Sequence, residues 1–168
     1  MKNGLPWRRH RRRGGAPQLV KVRFELERDD IGYPPFDSEG LWAEPLGADR
    51  YRIDNTPWYA RNLAVNDVVE ASQDRNGVLW AAKVVHRSGN MTVRVIWDPV
   101  GPDAVLDSVL AAIMTVGADG EGDGKRLLAV NVPSGVALAP IKRLLRDGEV
   151  LGRWAWEEGH VSSEWLAL

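Results

Sequence analysis

Apolar residues recur at every second position through much of the first hundred residues of this sequence, and at helical spacing soon afterwards. Period two marks a pleated strand with one buried face; a period near 3.6 marks a helix packed along one stripe. Val20, Val22, Phe24 and Leu26 alternate with Lys21, Arg23, Glu25 and Glu27, which predicts a half-buried strand from Leu19. Pro34-Pro35 ends the pattern, because proline gives a ladder no donor and forces its neighbour into extended backbone. Short strands are then expected near 41–46, 50–54, 67–73, 78–87 and 91–97. Gly47-Ala48-Asp49, Asn55-Thr56-Pro57, Asp74-Arg75-Asn76-Gly77 and Ser88-Gly89-Asn90 separate them. Asn76-Gly77 is the strongest hairpin signal, since both residues tolerate positive φ. So many short antiparallel strands predict a small β-barrel or strongly coiled sheet over 19–98.

From Met91 onward the expected order is strand, helix, strand, helix, strand. Val105, Leu106, Val109, Leu110, Ile113 and Met114 form one apolar stripe, with Asp103 and Asp107 near the positive end of the helix dipole and Gly117 at its stop. Leu127-Leu128-Ala129-Val130 is apolar on both faces, as an interior strand requires. Ile141, Leu144 and Leu145 mark a second helix, with Pro140 in its first turn and Gly148 after its end. Trp154 and Trp156 share a face of the last strand. The expected fold class is α+β: an antiparallel barrel-like half, then a β-α-β-α-β half over 91–168 packed on it.

The 168 residues include 22 bases, 23 acids and no cysteine. A chain of this length can build a core unaided, and the lack of thiols excludes disulfides, zinc ribbons and cysteine nucleophiles. The charge is unevenly placed. Lys2, Arg8, Arg9, Arg11, Arg12 and Arg13 give residues 1–18 a charge of +6, and the other 16 bases with all 23 acids leave −7 on residues 19–168. Residues 1–18 run into Gly14-Gly15-Ala16-Pro17 and read as a basic flexible arm: a disordered tail, an upstream extension from an over-long start, or a nucleic-acid arm using Arg8, Arg9, Arg11, Arg12 and Arg13. An acidic body repels nucleic acid and membrane surfaces and favours a basic protein partner. Nucleic acid is therefore expected through the arm only. No apolar run approaches the roughly 18 residues of a span, and Arg8-Arg9 is followed by no apolar export region. The expected location is the cytoplasm.

The histidines His10, His86 and His160 lack metal-ligand spacing, and no metal or cofactor is expected. His86 and Ser88, two apart on a strand, make no nucleophile–base pair by adjacency. Asp119, Glu121 and Asp123 open like a calcium loop, but the twelfth position is Val130 where a bidentate Glu is needed, so a flexible solvated loop is expected. Asp54-Asn55-Thr56-Pro57-Trp58-Tyr59 combines turn formers with two aromatics. Trp58 and Tyr59 are either binding anchors or a plug for the barrel's end, and the plug is the favoured reading. Trp42, Trp80 and Trp97 are expected in the core; Trp165, in a short apolar tail, must dock or leave an exposed patch. Asn90, Thr92 and Arg94, beside His86, form a polar row that reads as a solvated sheet face in preference to an anion site.

Tyr33-Pro34-Pro35, Glu39-Gly40-Leu41-Trp42-Ala43, Tyr51-Arg52-Ile53-Asp54-Asn55-Thr56-Pro57-Trp58-Tyr59-Ala60, Asp67-Val68-Val69 and Ser88-Gly89-Asn90-Met91-Thr92-Val93-Arg94-Val95 occur in that order. Together they resemble the bacterial domain of unknown function family forty-two sixty-five, over roughly residues 19–160. The family pattern has Gly where Asn66 stands and Phe where Trp58 stands; Asn also tolerates the left-handed conformation. The resemblance implies a fold and a bacterial source, with no catalytic residues to carry over.

Three functions are open on the sequence. The first is a non-catalytic protein-binding module, an immunity or accessory factor for a basic partner, using candidates among Asp54, Asn55, Trp58, Tyr59, His86, Asn90 and Arg94. The second is nucleic-acid binding through the arm. The third is an enzyme on an anionic small substrate, built on His86, Asn90 and Arg94 or on Asp54 and Asn55.

Overall fold

The computed structural model describes residues 18–97, 104–122 and 126–168. The arginines of the arm, Asp103, the side chain of Asp107, and Asp123 lie outside the described residues. Five strands, β1 (Val20–Glu25), β2 (Ser38–Gly47), β3 (Arg50–Ile53), β4 (Val68–Gln73) and β5 (Leu79–His86), close into a barrel. Successive pairs are antiparallel, but the closing pair β1–β5 is parallel, with Val22 opposite Leu79 and Arg23 opposite Trp80. This corrects the expectation of antiparallel pairing throughout. Val22, Leu41, Ala43, Ile53, Val69 and Ala71 fill the interior. At the β4–β5 turn, Asp74 accepts the N–H groups of Asn76 at 2.8 Å and Val78 at 2.9 Å. Of the expected Asn76-Gly77 pair, Gly77 alone takes positive φ; the carboxylate, bonding its own backbone, shapes the rest of the turn.

A second, antiparallel sheet is built from β6 (Met91–Ile96), β7 (Asp119–Gly122), β8 (Leu127–Val132) and β9 (Ala155–His160), in the order β7-β8-β6-β9. Met91, Val93 and Val95 of β6 and Leu128, Val130 and Val132 of β8 form its apolar face. Onto that face pack α1 (Ala104–Thr115) through Val109 and Ile113, α2 (Leu138–Val150) through Ile141 and Leu145, and α3 (Ser163–Leu166) through Trp165. Gly117, at φ +89°, stops α1 as expected. The apolar tail does dock: Trp165 is buried, its carbonyl accepts Lys142 Nζ at 2.6 Å and its indole N–H donates to Glu158 at 2.7 Å. Among the described residues, no helix is long and apolar enough to cross a membrane.

Several local expectations are corrected. Asp119–Gly122 is an edge strand, not a solvated loop, because β8 supplies a partner for its backbone. Met114 lies outside the apolar contact of α1 and is exposed. Trp42 is 46% exposed and Trp80 is half-buried, both on the barrel's outer side, whereas Trp97 is buried as expected. A five-stranded barrel encloses room for Val, Ala, Leu and Ile, and its indoles go outside. Gly148 lies inside α2, not after it. The reason is Trp154, whose indole lies on the helix there and donates to the Leu145 carbonyl at 3.1 Å.

A Cβ on Gly148 would collide with the indole of Trp154. In an open helix Gly→Ala stabilises by about 1 kcal/mol. Here overpacking wins, and Gly148→Ala is expected to destabilise the protein by about 1–3 kcal/mol in urea unfolding.

Candidate functional site

Between β3 and β4 the chain runs through residues 54–67 without regular structure, and much of it is buried: Thr56, Ala60, Leu63, Ala64 and Asp67. Buried irregular backbone must find hydrogen bonds outside a ladder. Here the second sheet supplies donors. Along one face of β6, Arg94 Nη2 donates to the Ala60 carbonyl at 2.6 Å, Thr92 Oγ1 to that of Leu63 at 2.9 Å, and, just before the strand, Asn90 Nδ2 to that of Val65 at 3.1 Å. Ser88 Oγ also donates to Val65, and Arg87 to the Asn62 carbonyl and to Asp67. From the barrel side, the Glu39 carboxylate accepts the N–H groups of Trp58, Tyr59 and Ala60 at 2.7, 2.9 and 2.7 Å.

The polar row expected to face solvent is therefore interior. Arg94 is 1% exposed and pairs with Glu157 at 2.8 Å. Gly159 makes room for it, since a Cβ there would sit 3.0 Å from the guanidinium. His86 takes no place in the row; it is exposed on β5, opposite Val68. Asp54 and Asn55 continue the ladder of β2: Asp54 N–H donates to the Trp42 carbonyl at 2.9 Å, and Asn55 Oδ1 accepts the Trp42 N–H at 2.7 Å. The plug reading is also corrected. The barrel core takes Ala60 and Leu63 from this segment, because those small and aliphatic side chains fit it. Trp58 and Tyr59 stay half-buried outside.

Tyr59 instead joins an aromatic group with two residues of the β1–β2 connection. Its ring lies 6.0 Å from Tyr33 and 5.5 Å from Phe36, and Phe36 is 52% exposed. Burial raises the Tyr33 phenol above its usual range, and Glu157 and Tyr59 add to this against the opposing charges of Arg94 and Arg126. Burial likewise raises the Glu121 carboxyl; the Thr56 N–H opposes it, while Asp119, Asp54 and Glu39 add to it. His160 is lowered by burial and by Arg87, against Asp67. The junction of barrel and sheet thus gathers aromatic rings and mutually repelling carboxylates. Tyr33, Phe36 and Glu39 are not among the site residues expected from the sequence, although Tyr33 and Glu39 stand in the motifs that carry the family resemblance; aromatics on both sides of Pro34-Pro35 are the available signal. A separate shallow cleft of about 330 Å³ beside α2 is lined by Val116, Ala139, Pro140, Arg143, Leu144 and Asp147.

A family model described as "Domain of unknown function (DUF4265)" matches residues 39–156, well over half of the sequence, including Glu39, segment 54–67 and the row from Asn90 to Arg94. The chain belongs to this family. Where the DUF4265 pattern is expected to place Gly, Asn66 takes φ +67°, so the left-handed turn is kept. In fold the chain is similar to a hypothetical protein from Neisseria gonorrhoeae known from its crystal structure, with a TM-score of 0.71 and 22% identity over 88% of this chain and 98% of that one. No curated protein matches the sequence.

A carboxyl held above its ordinary 4.5 binds its proton more tightly in the folded state, so stability falls as pH rises from that range through the raised value. Glu121→Gln is expected to remove this fall and to leave the protein more stable than the parent at neutral pH. Denaturation midpoints from pH 4 to pH 8 check the slope.

Proposed function

We propose that this chain is a bacterial, cytoplasmic, non-catalytic protein-binding module, an immunity or accessory factor whose partner is basic. The observation that carries this reading is the aromatic group of Tyr33, Phe36 and Tyr59 at the junction, beside a set of carboxylates that repel one another. Aromatic anchors supply most of the energy at binding hot spots, and an acidic surround steers a basic partner and suppresses others. The −7 charge of residues 19–168 extends the same field over the body. Further support comes from how the polar residues are used. Arg94 and Asn90, which an anionic substrate would need, donate to Glu157 and to the carbonyls of Ala60 and Val65. In this reading the barrel region 19–98 and the α+β region 91–168 act as one recognition unit, because the barrel region supplies the aromatic group and both supply the carboxylates.

The test is affinity capture with the full chain from the bacterium that encodes it, followed by reconstitution of the purified pair. A basic protein is expected, associating more slowly as salt rises. Phe36→Ala and Tyr59→Ala should each weaken it by about 2 kcal/mol. An acidic partner, or one indifferent to both substitutions, contradicts the reading.

A further inference from the structure

Beyond that reading, the outer face of the barrel across β2, β1 and β5 places two basic side chains between two tryptophans. The basic stretch of the sequence does not stop at the arm: Lys2, Arg8, Arg9, Arg11, Arg12, Arg13, Lys21 and Arg23 all precede the first acid, Glu25. The last two stand on the outer side of β1. Lys21 is opposite Trp42 of β2, its ammonium 5.2 Å from the ring centroid, and Arg23 is opposite Trp80 of β5. Among the described residues neither cation has a carboxylate partner, whereas Arg28, Arg52, Lys83, Arg87 and Arg94 each do. Arg23 donates to Ser38 Oγ at 3.0 Å. Opposite Arg23, β2 has Gly40, and the stem of Lys21 lies against it. Of the nearby acids, Glu44 pairs with Arg52, Asp74 is held by the turn and by the Trp80 indole N–H, and Glu25 follows Arg23 on the same outer face at the end of β1.

We propose that this strip binds single-stranded nucleic acid, with Trp42 and Trp80 as stacking platforms for bases and Lys21 and Arg23 meeting the phosphates between them. The Cα positions of two residues on the strands either side of β1, offset by two residues, stand about 12 Å apart. Stacking on exposed aromatics beside cations is the sequence-tolerant chemistry of single-strand binding. A ligand that meets two cations without carboxylate partners, the exposed Trp42 indole and the half-buried Trp80 indole together is a polyanion with flat rings.

The test is fluorescence anisotropy of the full chain with a labelled oligothymidylate of about fifteen nucleotides, beside a duplex of equal length and polyglutamate as competitor. The single strand is expected to bind more tightly than the duplex and to resist polyglutamate. Trp42→Ala and Trp80→Ala should each weaken binding about tenfold, and Trp42→Phe should retain most of it. Lys21→Ala and Arg23→Ala should each reduce the salt slope by about 0.7. Because both indoles lie outside the core, unchanged melting temperatures would show that the fold is kept; if the alanine variants lower melting sharply, the slopes of the Lys21 and Arg23 variants decide instead. Absence of binding, equal affinity for duplex, full competition by polyglutamate, or tryptophan and cation variants that all bind as the parent does would overturn the proposal.

Discussion

A buried stretch of irregular backbone is the constraint around which this fold is arranged. Residues 54–67 leave β3, pass between barrel and sheet, and return as β4. Each carbonyl left unpaired there would cost about 1–3 kcal/mol. Three of them would consume a large share of the roughly 5–15 kcal/mol that holds a domain folded. Asn90, Thr92 and Arg94 remove that cost at the carbonyls of Val65, Leu63 and Ala60, advancing along the sheet as the segment recedes. Arginine suits the last position because its planar fork serves Glu157 with one nitrogen and Ala60 with another; lysine has no such fixed geometry.

That arrangement has a functional consequence. With its carbonyls satisfied by the sheet and three N–H groups held by Glu39, the segment presents Tyr59 at a defined place against Tyr33 and Phe36. The rings are supported by groups on both sheets, so the recognition face in our reading is pre-formed. Pre-organised anchors lose little entropy on binding. The basic strip on β1 stands on a different part of the barrel and uses none of these residues.

Much of the architecture was legible in the sequence. Period two, turn signals and the later helical period located the barrel strands, the interior strand β8 and both long helices. The polar row was misread for a physical reason: alternation of Asn90, Thr92 and Arg94 with Met91, Val93 and Val95 states that two faces differ, not that one faces water. A face packed on polar backbone carries the same pattern as a solvated one. Trp42 and Trp80 were misplaced because hydrophobicity suggests burial without measuring the space a narrow barrel encloses. Gly148 read as a helix stop, although its role is to admit Trp154, a contact between residues that no local pattern reports. Asp119 and Glu121 looked like loop acids because glycines surround them, and only the pairing with β8 makes a strand of them. The family resemblance did place the region that holds the junction, including Asn66 at its left-handed turn.

Native-state hydrogen exchange on Arg94→Met tests the central claim most directly. The side chain keeps its volume and loses the fork that joins Ala60 to Glu157. If the polar row holds the segment in place, amide protection should fall at Trp58 to Asn66 while the amides of the β6–β8 ladder keep theirs. Parental protection throughout 58–66 in a folded variant would contradict the account.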